Sequence, residues 1–150
     1  YEAELRRSRQ INRGALREMI RMKHSGHMIL LFPAGTRFRP SKPESKQILS
    51  QVDSYIRAFD HMVFVGIAGN TLEVHPSGSM SNDIPKHDVM VYNVSPVIAC
   101  ETFRGSIRTG KDFSGEVAKR AVADAVGARL EELHQEAETE RKTRLESGES

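Results

Sequence analysis

Two arginines, Arg37 and Arg39, stand directly behind a turn signal of Pro33, Ala34, Gly35 and Thr36 in the stretch LLFPAGTRFRP. A guanidinium group is a permanently charged, planar fork that can grip a phosphate through two parallel N–H donors. Glycine lets a backbone approach a ligand closely, and N–H groups exposed at such a turn accept an anion. The chemistry open to these residue types is capture of a small anion, with Gly35, Thr36, Arg37 and Arg39 as the binding set. The competing reading is that both arginines are merely solvated, or paired with Glu44 or Asp60. The stretch is not a Walker loop, because the glycine count and the G-K-[ST] ending are both missing.

Six histidines are the other candidates for proton chemistry. His75 closes one apolar run and His87–Asp88 opens the next. Neighbours on a strand point to opposite faces, so His87 and Asp88 do not make a dyad. His24 and His27 flank Gly26 at an expected helix end, where imidazole suits the C-terminal dipole. No convergent set of metal ligands is legible, and no metal is expected. The single cysteine, Cys100, can form no internal disulfide, which favours a reducing compartment. In PVIACETF it reads as a small core side chain. Met19, Met22, Met28, Met62, Met80 and Met90 read as core filler.

These residues need elements to position them. Glu2 to about Lys23 is patterned as a helix, with Leu5, Ile11, Ala15, Leu16, Met19 and Ile20 mostly on one face and Ser25–Gly26 as the stop. HMILLF (27–32) is short, continuously apolar and ended by Pro33, the mark of a buried strand. RPSKPESK (39–46) is a polar loop. Ile48, Leu49, Val52, Ile56 and Phe59 fall at helical spacing, giving a second helix to about Asp60. A second buried strand follows at 62–69, with TLEVH as a short continuation. A turn-rich connection spans 75–87, and 88–103 holds one long or two short strands broken at Pro96. A final amphipathic helix carries Val117, Ala121, Ala125, Val126, Leu130, Leu133 and Ala137. Beyond it the charged residues 138–150 are expected to be a frayed or flexible tail. The order predicts an α/β fold: a mixed, mostly buried sheet flanked by helices over 1–137.

The totals narrow the classes further. The chain has 150 residues, 38% of them hydrophobic, no Trp and a net charge of +2. That is enough for one core, and too mild a charge to argue for nucleic acid. No apolar run approaches the ~20 residues that cross a bilayer. The chain opens on Tyr1 in an already helical pattern and reads as a segment of a longer polypeptide.

FPAGTR resembles the F-P-E-G-T-R block of the glycerolipid acyltransferases. The preceding order of helix, glycine and short apolar strand in NRGALREMIRMKHSGHMILLFPAGTR is similar to theirs. GTRFRP resembles the G-G-R-D-R-P of the soluble, chloroplast-type glycerol-3-phosphate acyltransferases, and SQVDSYIRAF and MVFVGIAGN resemble the helix and strand that follow there. The resemblance covers roughly residues 2–105 and implies that family's fold, of which this chain would be the carboxyl-terminal part. It implies transfer of a fatty acyl group from acyl-CoA or acyl carrier protein to glycerol 3-phosphate or lysophosphatidate, without a further cofactor. It also implies a cytoplasmic enzyme, soluble or peripheral to the inner face of a membrane. Carried over, Arg37 and Arg39 bind the acceptor's phosphate while Gly35 and Thr36 shape the turn. Ala34 departs from the usual Glu, as the chloroplast type does. The family's H-x-x-x-x-D pair, in which His takes the hydroxyl proton, is missing: none of the six histidines has Asp five positions on. No catalytic residue is therefore expected within these residues, and the pair is expected upstream. The alternative is a non-catalytic phosphate- or anion-binding module in an assembly.

Overall fold

The structure, a computed structural model, describes residues 2–36, 38–39, 42–77, 79–107 and 115–148, without the side chains of residues 3, 5, 8, 9 and 12. The expected stripe residue Leu5 therefore has its side chain outside the described set. Helix α1 runs Glu2–His24, with acids in its first turn and bases in its last, as the helix dipole favours. Its end is a Schellman motif. Gly26 takes φ +77°, its N–H donates to Lys23 O, and the His27 N–H donates to Met22 O, satisfying carbonyls the helix leaves open.

The next segment departs from expectation. Residues 27–32 form no strand, and Met28, Leu30 and Phe32 are 93%, 78% and 70% exposed. An apolar run becomes a buried strand only where a second strand takes its N–H and C=O groups and a packed layer covers its face. Among the described residues no second strand pairs with it, and only Ile29 of the run is even partly buried. Met28 and Met80 are correspondingly exposed rather than core filler, whereas Met62 packs against the core.

The expected loop at 39–46 contains an Arg39–Lys42 backbone bridge and a 3₁₀ turn at Pro43–Lys46; Pro40 and Ser41 lie outside the described residues. Helix α2 is shorter than its pattern, Val52–Ala58. Leu49 is drawn away because its N–H donates to Pro33 O, and Phe59 is already extended.

The strands β1 (His61–Met62), β2 (Val65–Ala68), β5 (Val91–Val94) and β6 (Ile98–Ala99) form two antiparallel pairs, β1 with β6 and β2 with β5. A separate short pair joins β3 (Leu72–Glu73) to β4 (Ile84–Pro85), placing both inside stretches expected to be a continuation and a connection. Between the two main pairs, Val63 and Phe64 face three residues, Ser95, Pro96 and Val97, so the ribbon carries a bulge where proline has no N–H to donate. Buried Ser95 repairs the ladder. Its Oγ accepts from Phe64 N at 2.9 Å and donates to Pro96 O, while its own N–H donates to Phe64 O. Cys100 N–H closes the ribbon on Asp60 O, and there the chain turns into helix α3, Cys100–Ile107, where a strand was expected.

Helix α4 spans Gly115–Ser147 and buries Ala118, Val122, Ala123, Val126, Leu133 and Ala137. It packs on the β2–β5 face that carries Gly66, Ala68, Val91 and Asn93. The other face, with Ile67, Tyr92 and Val94, is exposed, so the sheet is covered on one side and not on both. The charged stretch past Ala137 continues the helix to Ser147. Arg141 ties it to Asp88, and Arg144 pairs with Glu140. The core joins Ile48, Val52, Ile56, Phe64 and Cys100 to the apolar stripe of α4, with Phe64 and Phe103 rings 5.6 Å apart. Arg104 donates to buried Asp53 at 2.7 Å, pinning α3 to α2. The chain is thus mixed α and β, with small antiparallel sheets.

Candidate functional site

The turn that opens the site is built by the chain 32–35, where Gly35 N–H donates to Phe32 O at 3.0 Å and Gly35 takes φ +67°. An L side chain is strained at that angle. There is also no room for one, because a Cβ on Gly35 would stand 2.9 Å from Leu49 Cδ1. Leu49 in turn donates its N–H to Pro33 O.

The far wall is held by α4. Gly127 of that helix lets Ile48 approach until a Cβ there would be 3.2 Å from its Cγ1. Arg120 Nη2 donates to Ile48 O at 2.8 Å, and Lys46 pairs with Glu131 at 2.7 Å. Both attachments lie on one helix, so a rigid element fixes the segment that backs the turn. Lys46, first among its neighbours, holds the Glu131 carboxyl below its ordinary pKa.

Between turn and wall lies an open cavity of about 350 Å³ lined by Ala34, Thr36, Arg39, Lys42, Glu44, Ser45, Gln47 and Leu49. Arg39 is fixed through its backbone, whose N–H donates to Ser45 Oγ at 2.8 Å. Its side chain is different. Arg39 Nε is buried and has no hydrogen-bond partner, and no ion pair joins Arg39 to Glu44 or Asp60. Asp60 is taken by Lys23, 2.9 Å away. A buried charged donor without an acceptor is costly.

Of the four residues expected to bind phosphate, the structure brings Thr36 and Arg39 to one cavity and puts Gly35 in the turn immediately before Thr36. Arg37 lies outside the described residues. Sequence reasoning passed over Lys42 and took Glu44 only as a possible partner of the arginines; both share the lining. The signal was present in the polar run after Arg39, but a loop reading assigns no direction to its side chains.

Several of the remaining candidates make structural contacts. Asp88 accepts from Arg141 and from Asn70 N–H, which hold its carboxyl below the ordinary range. His75 Nδ1 sits 2.9 Å from Ser77 Oγ within its own turn, and His27 Nδ1 lies near Met22 O at the end of α1. His134 Nδ1 donates to Ile67 O at 2.8 Å, stitching α4 to β2. Cys100 is buried, and burial raises its thiol pKa, which disfavours a reactive thiolate. Among the described residues no three His, Cys, Asp or Glu side chains converge as a metal site would need, and no helix is long and apolar enough to cross a membrane.

No family model matches this chain, and no curated protein or solved structure matches it either.

Proposed function

We propose that this chain supplies the acceptor-phosphate site of a glycerolipid acyltransferase. The reaction moves a fatty acyl group from the thioester of acyl-CoA or acyl carrier protein to a hydroxyl of glycerol 3-phosphate or its monoacyl form, in phospholipid synthesis. The observation that carries the reading is Arg39, whose buried Nε has no hydrogen-bond partner and which lines the same cavity as Thr36, just beyond the Gly35 turn. The resemblance of FPAGTRFRP to the family's phosphate block names the anion, and it extends the site to Arg37.

On this reading the fold belongs to the glycerol-3-phosphate acyltransferase type. The cavity holds the phosphate, and that anchoring sets the glycerol hydroxyl at a fixed distance from it, in the manner of substrate positioning by remote binding groups. The proton of the attacking hydroxyl goes to a histidine of an H-x-x-x-x-D pair that lies outside these residues. The enzyme works in the cytoplasm, free or at the inner surface of a membrane.

Two measurements test the proposal. Calorimetric titration of the chain with glycerol 3-phosphate should show binding that Arg39→Ala weakens about tenfold to a hundredfold, the equivalent of a charged hydrogen bond of roughly 1.5–3 kcal/mol. Arg37→Ala should do the same. Unchanged affinity in both variants would remove the phosphate assignment. A continuous thioester-release assay should find little or no turnover by these 150 residues alone. Robust turnover dependent on glycerol 3-phosphate would place the acid–base pair within them.

A further inference from the structure

Lys42 shares the cavity with Arg39, and the backbone sets the two side by side. Arg39 and Lys42 form an antiparallel bridge, with Lys42 N–H donating to Arg39 O at 2.8 Å. Residues paired directly across such a bridge send their side chains to the same side.

The charges of the lining then decide what it can hold. Glu44 is the carboxylate among the described lining residues, so Arg39 alone would leave that lining neutral. Lys42 makes it net positive. Lys46, the next lysine along the chain, is already occupied, paired with Glu131 at 2.7 Å and lying 5.9 Å from the Phe38 ring centroid. Lys42 has no carboxylate partner among the described residues and remains available to a ligand.

We infer that Lys42 is a second cationic ligand of the phosphate and selects a terminal phosphomonoester over a phosphodiester. This rests on the acceptor-phosphate reading above. A monoester carries between one and a half and two negative charges near neutral pH, whereas a diester carries one. Arg39 offers a planar fork to two oxygens, and Lys42 adds a compact point charge that can meet the remaining charged oxygen. The site therefore favours glycerol 3-phosphate or lysophosphatidate over finished phospholipid headgroups, whose phosphate is a diester.

The test is a calorimetric titration with glycerol 3-phosphate, and in parallel with its phosphate methyl ester, into the unmodified chain, Arg39→Ala, Lys42→Met and Lys42→Arg. Circular dichroism confirms that each variant is folded. Arg39→Ala is expected to weaken both ligands. Lys42→Met is expected to weaken the monoester about three- to tenfold, the range of an exposed to half-exposed charged contact, and the methyl ester much less. Lys42→Arg should restore most of the difference. Wild-type affinity in Lys42→Met, with Arg39→Ala still impaired, would overturn the role of Lys42 and leave the phosphate site standing. Equal losses for both ligands would overturn the selectivity. No binding of either ligand by the unmodified chain would overturn the site and, with it, Lys42.

Discussion

At Gly66 the main chain of β2 passes so close to α4 that a Cβ would lie 2.4 Å from the Leu133 carbonyl carbon and 2.6 Å from the His134 nitrogen. Both are backbone atoms, which cannot rotate away, so even alanine must push the helix off the sheet. Gly66→Ala is expected to cost about 1–3 kcal/mol, the usual range for overpacking, read as a lower urea midpoint with an unchanged slope. A midpoint equal to wild type would mean that α4 does not sit on β2 as described. Gly35 is constrained in a different way, by its positive φ and by Leu49. It shapes the cavity, whereas Gly66 shapes the core. Residue identity announced both glycines, but only the neighbours of each tell which task it performs.

Among the elements, α4 is the organiser. It covers one face of β2 and β5, and through Gly127, Arg120 and Glu131 it fixes the segment behind the anion cavity. Its last turns depend on Arg141, which donates to Asp88 at 3.1 Å and to Glu138 at 2.9 Å. The Asp88 carboxyl is held below its ordinary pKa, first by Arg141 and then by Asn70 N–H. A carboxyl depressed in the folded state adds stability that is present above its unfolded value of about 4 and is lost as pH falls through the lower folded value. Asp88→Asn should therefore expose the amides of 138–147 to faster hydrogen exchange at neutral pH. The gap in exchange between variant and wild type should close as pH drops below about 4. A gap that persists unchanged at low pH would separate the order of this helical end from the Asp88 charge. Composition alone suggests fraying here, since a run of charges has no apolar face to bury. The helix continues because Arg141 reaches a carboxylate from a distant part of the chain.

Across the whole molecule, packing is one-sided. The segment 27–32 leaves Met28, Leu30 and Phe32 in solvent, and Ile67, Tyr92 and Val94 open the far face of the main sheet. Exposed apolar chain with unpaired backbone groups invites association between molecules. Leu30→Lys is expected to leave stability within about 0.5 kcal/mol of wild type, as for other surface changes, and to reduce concentration-dependent light scattering. A loss of several kilocalories would instead show that this run is covered.

Local rules went a long way with this chain. The Pro–Ala–Gly–Thr turn, the Gly26 helix stop and the break at Pro96 depend on backbone preferences and spacing, which neighbouring residues carry within themselves; the stripe of the last helix was legible only in Val126, Leu133 and Ala137, since Val117 is exposed and Ala118, Val122 and Ala123 are buried instead. The sequence by itself therefore determined where the chain turns, and that an arginine-rich corner follows the first turn. Tertiary structure alone decided the rest. Whether 27–32 becomes a strand depends on a partner surface, and whether Cys100 ends a strand or begins a helix depends on the Asp60 carbonyl it meets. Whether Arg39 is neutralised by Glu44 or left open to a ligand, with Lys42 beside it, depends on side-chain directions that only the folded loop and its anchor on α4 define.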